Sequence, residues 1–239
     1  MAREQILKEI LDGAAAALRS QTTRPRYRLL FPEDTVRGML KDAYFQQVRS
    51  RNCTPKDDSD TLLNIGRVSR WLTDEVSKPM LLLYGGYGNG KTTMARAVIS
   101  LHSSIRASLG ARLKEGFREL GDREYIYELM SSVRLPRFCT AQQLASLAST
   151  DQQAFEQAAS VGFLVIDDLG CEPVSVKNWG TEITPVTDIL YRRYDELLPT
   201  IVTTNLSKKD IRARYGDRVA DRFNETFETI GYTNATYRK

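Results

Sequence analysis

The sequence predicts an α/β domain built on a parallel sheet covered by helices on both faces. Three observations carry that expectation. Short apolar segments alternate along the chain with longer segments whose apolar residues recur at helical spacing. The short segments are continuously apolar, as strands buried on both sides are, and lack period-two alternation. Each ends in turn-forming or polar residues before the next helical pattern begins.

In chain order, residues 2–19 place Ile6, Leu7, Ile10, Leu11, Ala14, Ala15 and Leu18 on one helical stripe. Residues 19–51 are basic, with a local balance of +5, and include Tyr27, Phe31, Tyr44 and Phe45. The polar run 51–60, with its proline and terminal acids, reads as a linker. A helix is expected over 61–76, a strand over Met80–Tyr84, and a helix from Lys91 that runs past Leu109. Ile105, Leu109, Leu113, Phe117 and Leu120 give the charged stretch 105–132 its own apolar stripe. That stretch is either a helix packed on the core or an exposed arm. Strands follow at 135–140, 161–170, 199–205 and 226–233, with helices at 140–148, 181–198 and 207–216. The domains expected from this pattern are a helical unit over 1–55, a linker over 56–65 and the α/β domain over 66–239.

Composition excludes several classes. The chain has 239 residues, 41% hydrophobic and 27% charged, an ordinary balance for one globular domain with a small appendage. It has no apolar run approaching the roughly 18 residues of a membrane span. Glu4, Lys8, Glu9 and Asp12 interrupt the N-terminal stripe, so no signal peptide is expected. Cys53, Cys139 and Cys171 have no CxxC spacing, which points to reduced thiols and a cytoplasmic location. The net charge of +4 is compatible with a nucleic-acid partner without requiring one.

The chemistry concentrates in four places. GGYGNGKTT at 85–93 fits GxxxxGK[ST], between an apolar strand and a helix. In such a loop the glycines curl the backbone so that several N–H groups face one anion, and the helix N-terminus adds to the field. Gly85, Gly86, Gly88, Asn89, Gly90, Lys91, Thr92 and Thr93 are therefore the expected binding loop for ATP. Lys91 is placed on the β- and γ-phosphates and Thr92 on Mg²⁺. FLVIDDLG at 163–170 delivers two adjacent carboxylates at a strand end. Asp167 is expected to hold the Mg²⁺ through water, and Asp168 either to act as general base on the attacking water or to orient it. PTIVTTN ends on Asn205, which either hydrogen-bonds the γ-phosphate or the lytic water as a sensor, or caps the helix that follows. YGDRVADRF puts Arg218 and Arg222 four apart on one helical face, solvated or paired with Asp217 and Asp221.

The series GxxxxGKT, IDDLG, TTN, GDRVxDR and a terminal YR resembles the AAA+ ATPases of the DnaC-type helicase-loader and IstB-type transposition-helper group over residues 61–239. The resemblance implies a five-stranded P-loop sheet in the order 5-1-4-3-2. It places Asn205 on sensor 1, Arg222 on an arginine finger acting in a neighbouring subunit, and Arg238 on a sensor-2-like position. Where many members carry Glu, this chain has Asp168, one methylene shorter, which suits slow turnover. Only seven residues follow Tyr232, so no C-terminal helical lid is expected.

The function implied is an ATP- and Mg²⁺-dependent ATPase that self-associates into a ring or spiral and delivers a hexameric replicative helicase to single-stranded DNA. Two alternatives stand beside it: a transposase-partnered regulator coating duplex DNA, and a nucleotide-dependent adaptor that hydrolyses weakly. In the loader reading residues 1–55 grip the helicase. Their aromatic and basic residues suit base stacking, docking on an acidic face, or a plain solvated surface. Lys208, Lys209, Arg212 and Arg214 line a DNA channel or an exposed helix. His102 is expected to be either structural or on the surface, and Trp71 and Trp179 to be packing residues.

Overall fold

The structure is a computed structural model that describes residues 5, 6, 8, 10–13, 26–115, 120–178 and 180–233. The described residues near the N-terminus are helical, and Ile6, Ile10 and Leu11 of the expected stripe are more than half exposed. Then come α1 (Glu33–Arg49), α2 (Ser59–Thr73), β1 (Met80–Gly85), α3 (Lys91–Glu115), α4 (Leu120–Ser132) and β2 (Arg137–Thr140). After these lie α5 (Ala141–Thr150), α6 (Gln152–Ala159), β3 (Leu164–Leu169), a hairpin of β4 (Val176–Asn178) and β5 (Thr181–Ile183), and α7 (Pro185–Asp195). The chain continues with β6 (Thr200–Thr204), α8 (Lys208–Tyr215), α9 (Asp217–Thr226) and β7 (Phe227–Tyr232).

Five strands form one sheet in the order β2-β3-β6-β1-β7, and every pairing in it is parallel. Counting only these five along the chain, the order is 5-1-4-3-2, the order that the family resemblance implies. The β4–β5 hairpin is a separate antiparallel pair where the sequence pattern suggested the start of a helix. Pro185 explains the difference: it disfavours helix in the residue before it and sits well at the first helical position.

Successive residues of each strand serve opposite cores, which is why the strands read as unbroken apolar runs. Leu81 and Leu83 of β1, Val165 of β3 and Ile201 of β6 pack with α1, α2, α3 and α4. Met80, Leu82, Leu164, Ile166 and Val202 pack with α5 to α9. The sheet is the middle layer of three. Among the described residues no helix follows β7, and none is long and apolar enough to cross a membrane.

The expected division near residue 55 does not coincide with a break in the core. Tyr27, Leu29, Val36, Leu40, Tyr44 and Val48 are buried in the same cluster as Leu81 and Val165. Arg26 fastens this segment, lying over the Trp71 ring and donating to the carbonyls of Trp71, Asp74 and Lys78. Burial lowers its pKa to about 10. The linker assignment over 56–65 is corrected in the same way. Asp58 caps α2 by accepting from the Thr61 amide, so the acids of that run open a helix.

Within the stretch 105–132 the described residues to Glu115 and from Leu120 are helical, while Phe117 of the expected stripe lies outside the described residues. Ile105, Leu109 and Leu129 are buried against the core, so of the two readings the packed helix is the one observed. Burial also corrects the base-stacking reading of the N-terminal aromatics. The Tyr27 ring packs on Phe163 and Tyr44 is fully buried, while Phe31 and Phe45 are partly covered by the core.

Candidate functional site

The loop 86–90 joins β1 to α3 at the carboxyl edge of the sheet, where the N–H groups of the first helical turn have no partners within the helix. Gly85, Gly88 and Gly90 all take positive φ there. Gly85 carries the strictest requirement: at φ 144° a Cβ would sit 2.3 Å from the Tyr232 carbonyl oxygen. Asn89 is buried inside the loop and donates to that same carbonyl at 2.8 Å. The loop is thereby closed against the end of β7.

Lys91 is buried, and the three N–H groups of its ammonium are shared among four oxygens: the carbonyls of Gly85 at 3.0 Å and Gly86 at 2.6 Å, Asn89 Oδ1 at 3.1 Å and Asn205 Oδ1 at 2.8 Å. These place the cation at the mouth of the loop, between β1 and β6. Thr92 Oγ1 donates to Asp167 Oδ1 at 2.9 Å. Adjacent oxygen ligands of an octahedral magnesium lie about 2.9 Å apart, so a hydroxyl and a carboxylate at this separation suit such an ion. Among the described residues no cluster of three or more His, Cys, Asp or Glu could hold a metal. A magnesium here would need further oxygens, such as those of phosphates and water.

The two carboxylates part company at the end of β3. Asp167 is buried and accepts from Thr203 Oγ1 at 2.5 Å as well as from Thr92. Asp168 has φ 57°, is only partly covered, and lines a cavity of about 970 Å³. Tyr87, Gly88, Asn89, Gly90, Lys91, Thr92, Thr93, Asp168 and Asn205 share that cavity. The structure thus brings the binding loop, the second carboxylate and the strand-end amide to one space, with Asp167 bonded directly behind it. Asn205 does not cap α8: Ser207 does, in a capping box with Asp210.

The opposite wall was missed in the sequence. Val48, Arg51, Asn52, Cys53, Thr54 and Lys56 complete the cavity. The polar run 51–56 is a wall of the cavity and not a linker; Asn52 at φ 56° is a turn residue there, held by its amide donating to Arg49 O at 2.9 Å. Cys53 and Cys171 both line this space, while Cys139 is buried in the second core.

The basic residues beyond β6 are distributed differently from the expectation. Asp217 and Asp221 pair with Arg212, at 2.8 and 3.2 Å, and not with Arg218 or Arg222. Arg222 lies over the rings of Tyr191, 4.4 Å from its centroid, and Tyr194, at 4.9 Å, with Asp195 3.9 Å away. Arg218 is 5.7 Å from the Tyr191 centroid. Neither arginine lines the cavity of its own chain. Arg214 donates to the Glu172 carbonyl, whereas Lys208 and Lys209 are exposed. Arg238 and Trp179 lie outside the described residues.

His102 is buried between Tyr27 and Phe163. Its Nδ1 is 2.7 Å from the Val98 carbonyl, which can only accept, so the proton sits on Nδ1 and Nε2 accepts from the Tyr27 hydroxyl at 3.0 Å. Burial lowers its pKa to about 4. Of the two expected placements, structural or surface, the buried structural one is observed.

No family model and no curated protein matches this chain. Solved structures do. The crystal structure of the DnaC helicase loader is 22% identical, with a TM-score of 0.50, covering 80% of this chain and 98% of the loader's. The crystal structure of DnaI is 18% identical, with a TM-score of 0.51, covering 87% of this chain and 95% of that one. At these identities the likeness speaks for the fold. From the sheet order, the loop leading into α3 and these two neighbours, the chain has the α/β fold of the solved DnaC and DnaI structures, a five-stranded parallel sheet between helices with a glycine-rich loop after its first strand.

Proposed function

We propose that this protein is an AAA+ ATPase of helicase-loader type, which binds ATP with Mg²⁺, assembles with copies of itself and delivers a hexameric replicative helicase to single-stranded DNA. The observation that carries the nucleotide reading is the joining of Lys91, Thr92, Asp167 and Asn205 by direct hydrogen bonds beside one cavity. These residues come from three segments far apart in sequence. The loader reading rests further on the fold likeness and on the motif order.

Each side chain has a definable task. The amides of the loop and the first turn of α3 would donate to the phosphate oxygens, and Lys91 would neutralise their charge. Thr92 and Asp167 would hold the Mg²⁺. The nucleotide and its metal would supply the scissile phosphoanhydride and the charge that polarises it. Asp168, directed into the cavity, would take a proton from water, and the Asn205 amide would orient that water. Arg222, remote from its own cavity, is suited to completing the site of a neighbour. Tyr191 and Tyr194 hold its guanidinium at a defined place. Sensor 2 remains assigned to Arg238 on the motif order alone.

The test is equilibrium binding of a fluorescent ATP analogue with and without Mg²⁺, followed by co-purification with a replicative helicase and competition between single-stranded and duplex DNA. Mg²⁺-enhanced nucleotide binding, helicase retention and preference for single strands are expected. Absence of nucleotide binding overturns the reading of the site. Duplex preference with transposase retention replaces the loader by the transposition helper. ATP consumption unchanged by Asp168→Asn favours the weakly hydrolysing adaptor.

A further inference from the structure

The pairing of β3 with β6 slips by one residue between Ile166 and Leu169. Ile166 faces Val202 and Leu169 faces Thr204, so Asp167 and Asp168 together stand opposite Thr203 alone. This is a β-bulge, a device that re-aims one side chain relative to the regular pleat. Its effect shows in the core: Leu164, Ile166 and Leu169 all enter the same cluster, although regular alternation would send Leu169 to the other face. The bulge buries Asp167 and leaves Asp168 partly exposed on the cavity wall.

Thr203 is fully buried, and its hydroxyl makes both contacts that define the bulge. Oγ1 donates to Asp167 Oδ1 at 2.5 Å and accepts from the Asp168 amide at 2.9 Å. One bond restrains the carboxylate that also meets Thr92. The other holds the backbone of Asp168 at φ 57°, a conformation unfavourable for a residue other than glycine. A valine has the same shape but could make neither bond.

We propose that Thr203 is a positioning residue that holds Asp167 toward the metal and Asp168 toward the cavity through the β3 bulge. This inference rests on the nucleotide reading above and extends it to a residue that touches neither nucleotide nor water. Thr204, next along β6, provides the contrast. Its hydroxyl donates to the Leu169 carbonyl at 2.6 Å and accepts from the Leu206 amide, fastening the strand without touching either carboxylate.

The experiment compares Thr203→Val, Thr203→Ser, Thr204→Val and Asp167→Asn in the full chain. Amide hydrogen exchange at Asp168 is measured without nucleotide or metal, and the Mg²⁺ concentration that half-maximally strengthens fluorescent-ATP binding is measured separately. Thr203→Val is expected to speed Asp168 exchange about tenfold, as loss of a buried hydrogen bond allows. It should raise the Mg²⁺ requirement about ten- to a hundredfold, the usual cost of losing a residue that orients a metal ligand. Metal-free nucleotide binding should stay within about twofold, because the partners of Lys91 are untouched. Thr203→Ser keeps the hydroxyl and should restore both readouts, while Thr204→Val should leave the Mg²⁺ requirement alone. Should Thr203→Val fail to fold, Thr203→Ala is read in the same way. Unchanged Asp168 exchange and Mg²⁺ requirement in the valine variant, with Asp167→Asn clearly shifted, overturns the role of Thr203 alone. If Asp167→Asn is also unchanged, the nucleotide–metal reading itself is wrong.

Discussion

Lys91 Nζ donates to Asn205 Oδ1 at 2.8 Å, joining residues 114 apart in sequence. The contact ties the loop after β1 to the end of β6, the strand that pairs with both β1 and the acidic strand β3. A phosphate drawn to Lys91 would therefore arrive beside the Asn205 amide, which makes the two residues separable by experiment. Lys91→Ala should weaken nucleotide binding at least about tenfold, since it removes a charged hydrogen-bond donor. Asn205→Ala should keep affinity within about threefold and slow hydrolysis about a hundredfold, the scale for losing one preorganised polar group. Binding titrations and single-turnover hydrolysis distinguish them; equal loss of affinity in both would remove Asn205 from the chemical step.

Arg222 stacks on Tyr191 and Tyr194 outside its own cavity. Arg222→Ala should leave nucleotide affinity unchanged and reduce hydrolysis roughly a thousandfold, in the range known for arginine fingers. Wild-type specific activity should rise with protein concentration, and the variant's should not. Normal assembly and turnover in the variant would show that the finger lies elsewhere.

At Gly85 there is no room for a methyl group. Gly85→Ala should destabilise the fold by more than about 1 kcal/mol, because the new Cβ meets the Tyr232 carbonyl in a conformation that suits glycine. Nucleotide binding should fall with it, as the same loop presents the amides. Urea unfolding and nucleotide titration report the two effects. Wild-type values for both would mean that the β7 end moves away freely.

His102 makes stability depend on pH. Its folded pKa is about 4, against about 6.5 when exposed in the unfolded chain. Between those values the unfolded chain binds a proton that the folded chain does not, so stability is complete above about pH 6.5 and declines as the pH falls toward 4. The loss from pH 7 to pH 5 attributable to this residue is about 2 kcal/mol. His102→Gln should show a correspondingly smaller difference between those two pH values in urea unfolding. Equal differences in the two proteins would show that the imidazole is protonated without cost.

The local patterns that converge on the candidate site were legible in the sequence because contiguous residues carry them. The glycine loop into α3, the paired acids ending an apolar strand and the TTN strand end each declare themselves within ten residues, and continuous apolar runs announced the parallel sheet. Where chemistry depends on neighbours distant in sequence, tertiary structure decided the outcome. The linker run became one wall of the cavity because α1 packs against α3, burying Tyr44 and Val48 and carrying 51–56 to the loop. Arg212, rather than Arg218 or Arg222, took the two aspartates because α8 and α9 pack side by side. The bulge opposite Thr203 exists only in the pairing of β3 with β6, since a register shift is a property of two strands and neither strand's residues encode it alone.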